Sequence, residues 1–248
     1  DTVEDKILDF KPDVFIHNGW SGGNNFNSVN SFEQFDNLNV GFNLLKVLSK
    51  LKDLHFIGLG SFSEYGVTLE ISSEKSLENP NNYYGASKNM FKIFSKTFCQ
   101  VNNFNWSWIR PCYVYGEHDV LTRLIPRVIN SCLRKENLSL DSCSSVVDYL
   151  YVKDFVDAVE QIINSKSSGI INICSGNQYE VKEVIKLITT LCSTENNIHF
   201  DSLKDRKKSC TNFVCGDNQK LKSITTWKPK YDLINGLKNT IDFYKEKL

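Results

Sequence analysis

VFIHNGWSGG, residues 14–23, runs four apolar or aromatic residues into three glycines within five positions. A glycine-rich turn after a strand is a common place to cradle a pyrophosphate. Whether Gly19, Gly22 and Gly23 form such a turn decides how much of a nucleotide-binding fold this chain contains. The G-x-x-G-x-x-G spacing would need glycines at 19, 22 and 25, and position 25 is Asn. The strand candidate that follows, LHFIGLG, ends in Gly-Ser where an acid would be needed to hold an adenosine ribose. The spacing therefore speaks against this stretch being the cofactor loop.

Apolar runs of strand length recur beyond it: DVFIH (13–17), LHFIGLG (54–60), SWIRPCYVYG (107–116) and GIINIC (169–174). Between them lie segments of helical period at 32–51, 83–101, 153–164 and 180–192. Strands alternating with helices predict an α/β fold with a Rossmann-type parallel sheet. From Ser193 to Thr226 the chain turns polar and irregular, and a last helix is expected over about 232–247. These features suggest a smaller α+β lobe packed on the sheet domain, with a ligand crevice between the two.

The 248 residues are 41% hydrophobic, enough for one large domain or two small ones. Lysine plus arginine and aspartate plus glutamate each number 29, so no net charge favours nucleic acid or an anionic membrane. None of the eight cysteines forms a C-x-x-C pair, and none has metal-type spacing with the four histidines. They read as reduced thiols of a cytoplasmic protein with no metal site. No apolar run reaches membrane-spanning length, and DTVEDKILDF is no signal peptide.

The chemistry centres on NNYYGASK, residues 81–88. Tyr84 and Lys88 are four apart and share a helix face. An ammonium beside a phenol favours the phenolate, which predicts a Tyr84 pKa lowered toward neutrality and a general acid/base on a carbinol or carbonyl oxygen. Ser61, in GSFSEYG, stands at the carboxyl edge of the preceding strand, where a hydroxyl can hold the substrate oxygen. Taken singly, Ser61 reads better as a turn serine and Tyr84 as a packed aromatic.

With these residues placed, the chain resembles the extended short-chain dehydrogenases/reductases of the nucleotide-sugar epimerase/dehydratase kind. KPDVFIH is similar to the family's fourth strand, NLNVGFNLL to its interface helix, and GSFSEYG and YYGASK to its catalytic segments. IRPCYVYG is similar to its sixth strand, VVDYLYVKDFVDAV to the return to the sheet domain, INICSGNQYEV to the next strand and turn, and WKPKYDLINGLKNTIDFY to the closing helix. The resemblance implies residues 1–116 and 148–174 as a partial cofactor domain, and 117–147 with 175–248 as the nucleotide-sugar-binding lobe. It implies NAD(P)(H) as cofactor, with Tyr84 as acid/base, Lys88 on the nicotinamide ribose and Ser61 on the substrate oxygen. Asn18, Gly19, Asn39, Pro111, Tyr113 and Val114 would flank the cofactor, with Asn39 supporting the active-site backbone. Phe62, Ser63, Arg123, Leu124, Arg127 and Arg206 would line the nucleotide-sugar site. A homodimer through helices 32–51 and 83–101 follows by analogy, with Phe32, Phe35, Leu38, Phe42 and Leu45 as one apolar stripe.

The sequence departs from the family pattern in three ways. Phe62 and Ser63 replace the Asp-Glu pair of the 4,6-dehydratases, which disfavours elimination of water. Val147 replaces the arginine that usually precedes the aspartate of the DYLYV-like segment, so another cation must meet the diphosphate. The glycine fingerprint and its flanking elements, about 50 to 60 residues at roughly 30 per βαβ unit, are expected to precede this chain. The resulting expectation is an NDP-4-keto-sugar reductase of surface-polysaccharide sugar biosynthesis. A 4-epimerase using bound NAD and a non-catalytic nucleotide-binding homologue are the alternatives.

Overall fold

A computed structural model describes residues 2–22, 29–194, 198–200 and 213–247. Gly23, Lys204, Arg206, Lys207, Lys208 and Cys210 lie outside the described residues. The chain opens with helix α1 (Val3–Phe10), which is capped reciprocally by Thr2 and Asp5. Strand β1 (Val14–His17), helix α2 (Glu33–Leu48), strand β2 (His55–Leu59), a 3₁₀ turn (Phe62–Glu64), helix α3 (Tyr83–Val101) and strand β3 (Asn105–Pro111) follow. Next come β4 (Tyr113–Tyr115), α4 (Leu124–Arg134), β5 (Leu138–Ser139), β6 (Val146–Val147), β7 (Tyr149–Tyr151), α5 (Val152–Asn164) and β8 (Gly169–Ile173). The rest is β9 (Tyr179–Glu180), α6 (Val181–Leu191), β10 (Ile198–His199), β11 (Phe213–Val214), α7 (Gln219–Ile224) and α8 (Leu233–Lys245).

The main sheet is parallel throughout, in the order β1-β2-β3-β8. Its register sets Ile16 beside Ile57, Ile57 beside Ser107, and Ile109 beside Ile171. Alternation along the strands gives each face its own core. Phe56, Trp106 and Trp108 meet Leu45 and Leu48 of α2 and Phe91 and Cys99 of α3. Ile57, Ile109, Ile171 and Ile173 meet Ala158 and Ile162 of α5, with Leu221 and Trp227 from the C-terminal part. A third core joins α4, α6 and α8 through Ile129, Ile185, Ile188 and Leu237, closed by Tyr115, Tyr149 and Tyr151.

Two elements differ from the sequence expectation. SWIRPCYVYG is two strands, because Pro111 ends the ladder with β8 and the chain then turns to pair Tyr113–Tyr115 with β7. The stripe on α2 is likewise split between two faces. Leu38 and Leu45 are buried against the sheet, whereas Phe32 and Phe35 are exposed at 76% and 53%. At the far edge of the sheet, side chains occupy outward backbone groups of β8. Glu74 accepts from Asn172 N–H at 2.8 Å, and the Lys220 ammonium donates to the Ile170 carbonyl. An edge strand treated this way presents less template to another chain.

Candidate active site

Strand β2 ends at the carboxyl edge of the sheet, where Gly60 N–H still donates to Ile109 C=O at 2.7 Å. Ser61 then caps the 3₁₀ turn. Its hydroxyl accepts from Ser63 N–H at 3.1 Å, and its own N–H donates to the Glu64 carboxylate at 2.8 Å. Helix α3 starts beside this turn under an Asn82 cap that accepts from Gly85 N–H at 2.8 Å. A Cβ on Gly85 would meet the Ser63 carbonyl oxygen at 2.3 Å, so the missing side chain sets how closely α3 approaches the turn. This approach brings the Tyr84 phenol within hydrogen-bonding reach of the Ser61 side chain. One turn further on, Lys88 is 3% exposed and its ammonium donates to the Leu59 carbonyl at 2.6 Å.

The electrostatics of this group differ from the sequence expectation. Burial raises the Tyr84 pKa, and the Glu64 carboxylate adds to the rise, while the Ser61 hydrogen bond and the Arg123 charge oppose it. The expected lowering by Lys88 is absent, because the ammonium faces the Leu59 carbonyl and the indole of Trp20, 4.2 Å from the ring centroid. Burial pushes Lys88 itself down to about 7 against the pull of Glu64. His17, at the end of β1, is pushed down to about 4 by burial first and the Lys88 charge second. It is therefore neutral near pH 7.

Beneath Ser61 lies a buried ionic network. Glu64 and Arg110 are both fully buried, and Glu64 accepts from Arg110 Nε at 2.9 Å and Nη2 at 2.8 Å. Trp108 Nε1 donates to the same carboxylate at 2.9 Å. Glu78 pairs with both Arg110 and Lys92. Glu64 is thus committed to holding the Ser61 turn and offers no free carboxylate to a ligand.

The remaining candidates separate by position. Asn18 and Gly19 lie in the loop after β1, and a Cβ on Gly19 would meet nothing within 4 Å. Pro111 ends β3 and Tyr113 and Val114 open β4, with Tyr113 44% exposed. Arg123 caps α4 and reaches Asp119 at 3.4 Å, and its charge is felt by Tyr84 and Tyr113. Leu124 is half-buried at the start of α4, whereas Arg127 lies exposed about one turn along. Ser63 serves the turn through its backbone.

Two assignments change. Phe62 is 7% exposed and packs with Tyr65, Cys112 and Cys174, so it is a core residue and not a wall of the ligand site. Asn39 is exposed on α2, and the asparagine of that helix that bonds the loop after β1 is Asn37, on another face. Asn37 accepts from Ser21 N–H at 3.0 Å and donates to Ser21 C=O at 2.9 Å. Val147 is 4% exposed, and Asp148 beside it is fully buried, accepting from Ser175 and Gly176 N–H at 2.8 Å each. Sequence reasoning missed Trp20, Gln34, Asn37 and Glu64. Only Glu64 left a signal, as an acid three residues after a capping serine.

Residues 1–174 match the family described as the NAD dependent epimerase/dehydratase family. The chain belongs to that family. Among its curated relatives is the dTDP-D-glucose 4,6-dehydratase of Mus musculus, 26% identical over 77% of this chain and 56% of the relative. The dTDP-6-deoxy-L-talose 4-dehydrogenase (NAD(+)) of Aggregatibacter actinomycetemcomitans is 23% identical over 70% of this chain and 64% of the relative. The chain therefore spans less than two thirds of these relatives. A solved UDP-glucose 4-epimerase of Thermus thermophilus, in complex with NAD, superposes with a TM-score of 0.87 at 19% identity. That match covers 99% of this chain and 82% of the epimerase, and it shows the fold. Proteins named as dehydratase, dehydrogenase and epimerase thus all appear among those similar to this chain. Among the described residues no helix is long and apolar enough to cross a membrane.

Proposed function

We propose that the protein is an NAD(P)-dependent reductase of a nucleoside-diphosphate 4-keto sugar, serving the assembly of surface-polysaccharide sugars. The reading is carried by the placement of Ser61, Tyr84 and Lys88 at one sheet edge with no free carboxylate on the Ser61 turn. Glu64 is spent on Arg110, Trp108 and Ser61 N–H, and positions 62 and 63 are Phe and Ser. Elimination of water needs an acid/base pair that this turn does not offer, whereas carbonyl reduction needs one proton donor and one oxygen anchor.

Lys88 fits a nicotinamide ribose, since an ammonium has three N–H donors and one goes to Leu59 C=O. The open surroundings of Gly19 likewise allow close approach to its backbone. When bound, the dinucleotide supplies the hydride. In this reading Ser61 donates to the C4 oxygen and fixes the carbonyl. Tyr84, kept protonated by burial, gives its proton to that oxygen as negative charge develops on it. In this reading Arg123, whose charge reaches Tyr84, would meet the substrate diphosphate. Residues 1–116 and 148–174 would form the cofactor side and 117–147 with 175–248 the sugar side. A second copy of the chain would pack on α2 and α3, where Phe32, Phe35, Val40, Met90, Ile93 and Phe94 are exposed.

The test mixes the full-length protein with reduced dinucleotide and an NDP-4-keto-6-deoxy sugar. A reductase consumes reduced nicotinamide in step with the sugar. Interconversion of two 4-hydroxy sugars with no net consumption would replace this reading with epimerisation.

A further inference from the structure

We propose that Trp20 is a shutter over Lys88, closed in the free protein and displaced when a ligand's hydroxyl groups bond to the ammonium. The inference rests on the reading of Lys88 as the residue that meets a ribose. Four observations carry it. The indole face lies 4.2 Å from Lys88 Nζ, in a position to attract a cation electrostatically. The indole is fixed from behind, since Trp20 Nε1 donates to Gln34 Oε1 at 2.8 Å and Gln34 is fully buried. The backbone beside it is also fixed, with Ser21 bonded to Asn37 in both directions and Gln34 donating to Ser21 C=O at 3.3 Å. Finally, Trp20 packs on His17 and Phe91, which also pack on each other, and His17 feels the Lys88 charge.

The consequence is geometric. Lys88 has the Leu59 carbonyl on one side and the indole on another, while the Tyr84 ring centroid stands 5.8 Å away. A hydroxyl that reaches Nζ as a hydrogen-bond acceptor competes with the indole for the same face of the ammonium. A ligand that takes both remaining N–H donors of Lys88 therefore breaks the cation–π contact, and Trp20 swings away from Gln34. A polyhydroxylated ligand that makes two bonds to Lys88 can offset that loss, and a single water gains little by doing so. The charged and titratable groups around Lys88 are Glu64 from the 3₁₀ turn, Tyr84 from α3 and His17 from β1. None of them needs to change protonation for the shutter to move.

Two measurements test the proposal. In the first, the full-length protein without ligand is acylated briefly with acetic anhydride near neutral pH, and modification of each lysine is read by peptide mass spectrometry. Labelling of Lys88 relative to exposed Lys46 should rise about tenfold in Trp20→Ala and stay low in Trp20→Phe. Lys92, buried on the same helix, should not change. An unchanged Lys88, or a parallel rise at Lys92, overturns the shutter whatever the protein's activity. In the second, reduced dinucleotide is titrated into each protein. Trp20→Ala should bind about tenfold more tightly, about 1.4 kcal/mol, and wild type should show a fluorescence change that Trp20→Phe lacks. Where wild type binds the dinucleotide, equal or weaker binding by Trp20→Ala overturns the shutter. If Lys88 is unmasked in Trp20→Ala and no variant binds dinucleotide, the shutter stands and the cofactor reading fails.

Discussion

Glu64 and Arg110 form an ion pair with no solvent exposure on either side, and the same carboxylate holds the backbone of Ser61. Removing one partner of a buried pair leaves the other charge uncompensated, at about 3–5 kcal/mol. Glu78 remains within reach of Arg110, so Glu64→Ala should cost about 3 kcal/mol, the lower end of that range. Glu64→Gln keeps an acceptor for Ser61 N–H and should cost less. Urea unfolding of the two variants gives the comparison, and a Glu64→Ala midpoint equal to wild type would remove the structural role of the pair.

Tyr84→Phe keeps the ring and its packing but removes the phenol. Turnover with the keto-sugar should fall about 10²- to 10⁴-fold, the range for loss of a positioned proton donor. Dinucleotide affinity and thermal stability should stay near wild type. Ser61→Ala should lose activity and also about 1 kcal/mol of stability, because its hydroxyl caps the turn. Near-wild-type turnover by Tyr84→Phe would reject the acid/base assignment.

The parts legible in the sequence were those set by local pattern. Val14–His17, His55–Leu59 and Gly169–Ile173 are short apolar runs, and the apolar residues of α3 recur at a helical period between an asparagine cap and the turn at Asn102. The positions of Ser61, Tyr84 and Lys88 were legible because strand end and helix start set them without long-range information. Other features depend on partners distant in sequence. The break after Pro111 follows from pairing with β7, which no residue near Pro111 announces. Phe62 reads as a site wall until Cys174 and Val214 are brought against it. Asn39 and Asn37 are two residues apart, and only the helix rotation decides which meets Ser21. Trp20 over Lys88 and Gln34 behind Trp20 join three elements, so no spacing rule could reveal them.

His17 gives the fold a defined acid sensitivity. Burial holds it neutral, with a folded pKa of about 4 against an ordinary value of 6.5. The unfolded chain takes up the proton first as pH falls, so this contribution is fully present above about pH 6.5 and is lost progressively down to about pH 4. At about pH 5 the loss should be about 2 kcal/mol, from 1.36 kcal/mol per unit. His17→Phe should flatten this part of the stability profile. Urea midpoints at about pH 7 and about pH 5 measure it, and an equal drop in both proteins would assign the acid sensitivity to other groups.

Gly85 and Gly19 make opposite predictions for the same substitution. In an exposed helix Gly→Ala stabilises by about 1 kcal/mol. At Gly85, however, the new Cβ would sit 2.3 Å from the Ser63 carbonyl oxygen and 2.8 Å from its carbon, both backbone atoms with little room to yield. The overpacking cost of about 1–3 kcal/mol should outweigh the helix gain. It should also push α3 off the turn, separating Tyr84 from Ser61 and lowering turnover beyond what the stability loss explains. At Gly19 the same Cβ meets nothing within 4 Å and the backbone has no positive φ, so Gly19→Ala should leave stability within about 0.5 kcal/mol of wild type. If Gly19 lies against the dinucleotide, that variant should still bind it less tightly. Unfolding and dinucleotide titration of both variants separate the two roles, and a stable, fully active Gly85→Ala would show that the close approach of α3 does not set the catalytic geometry.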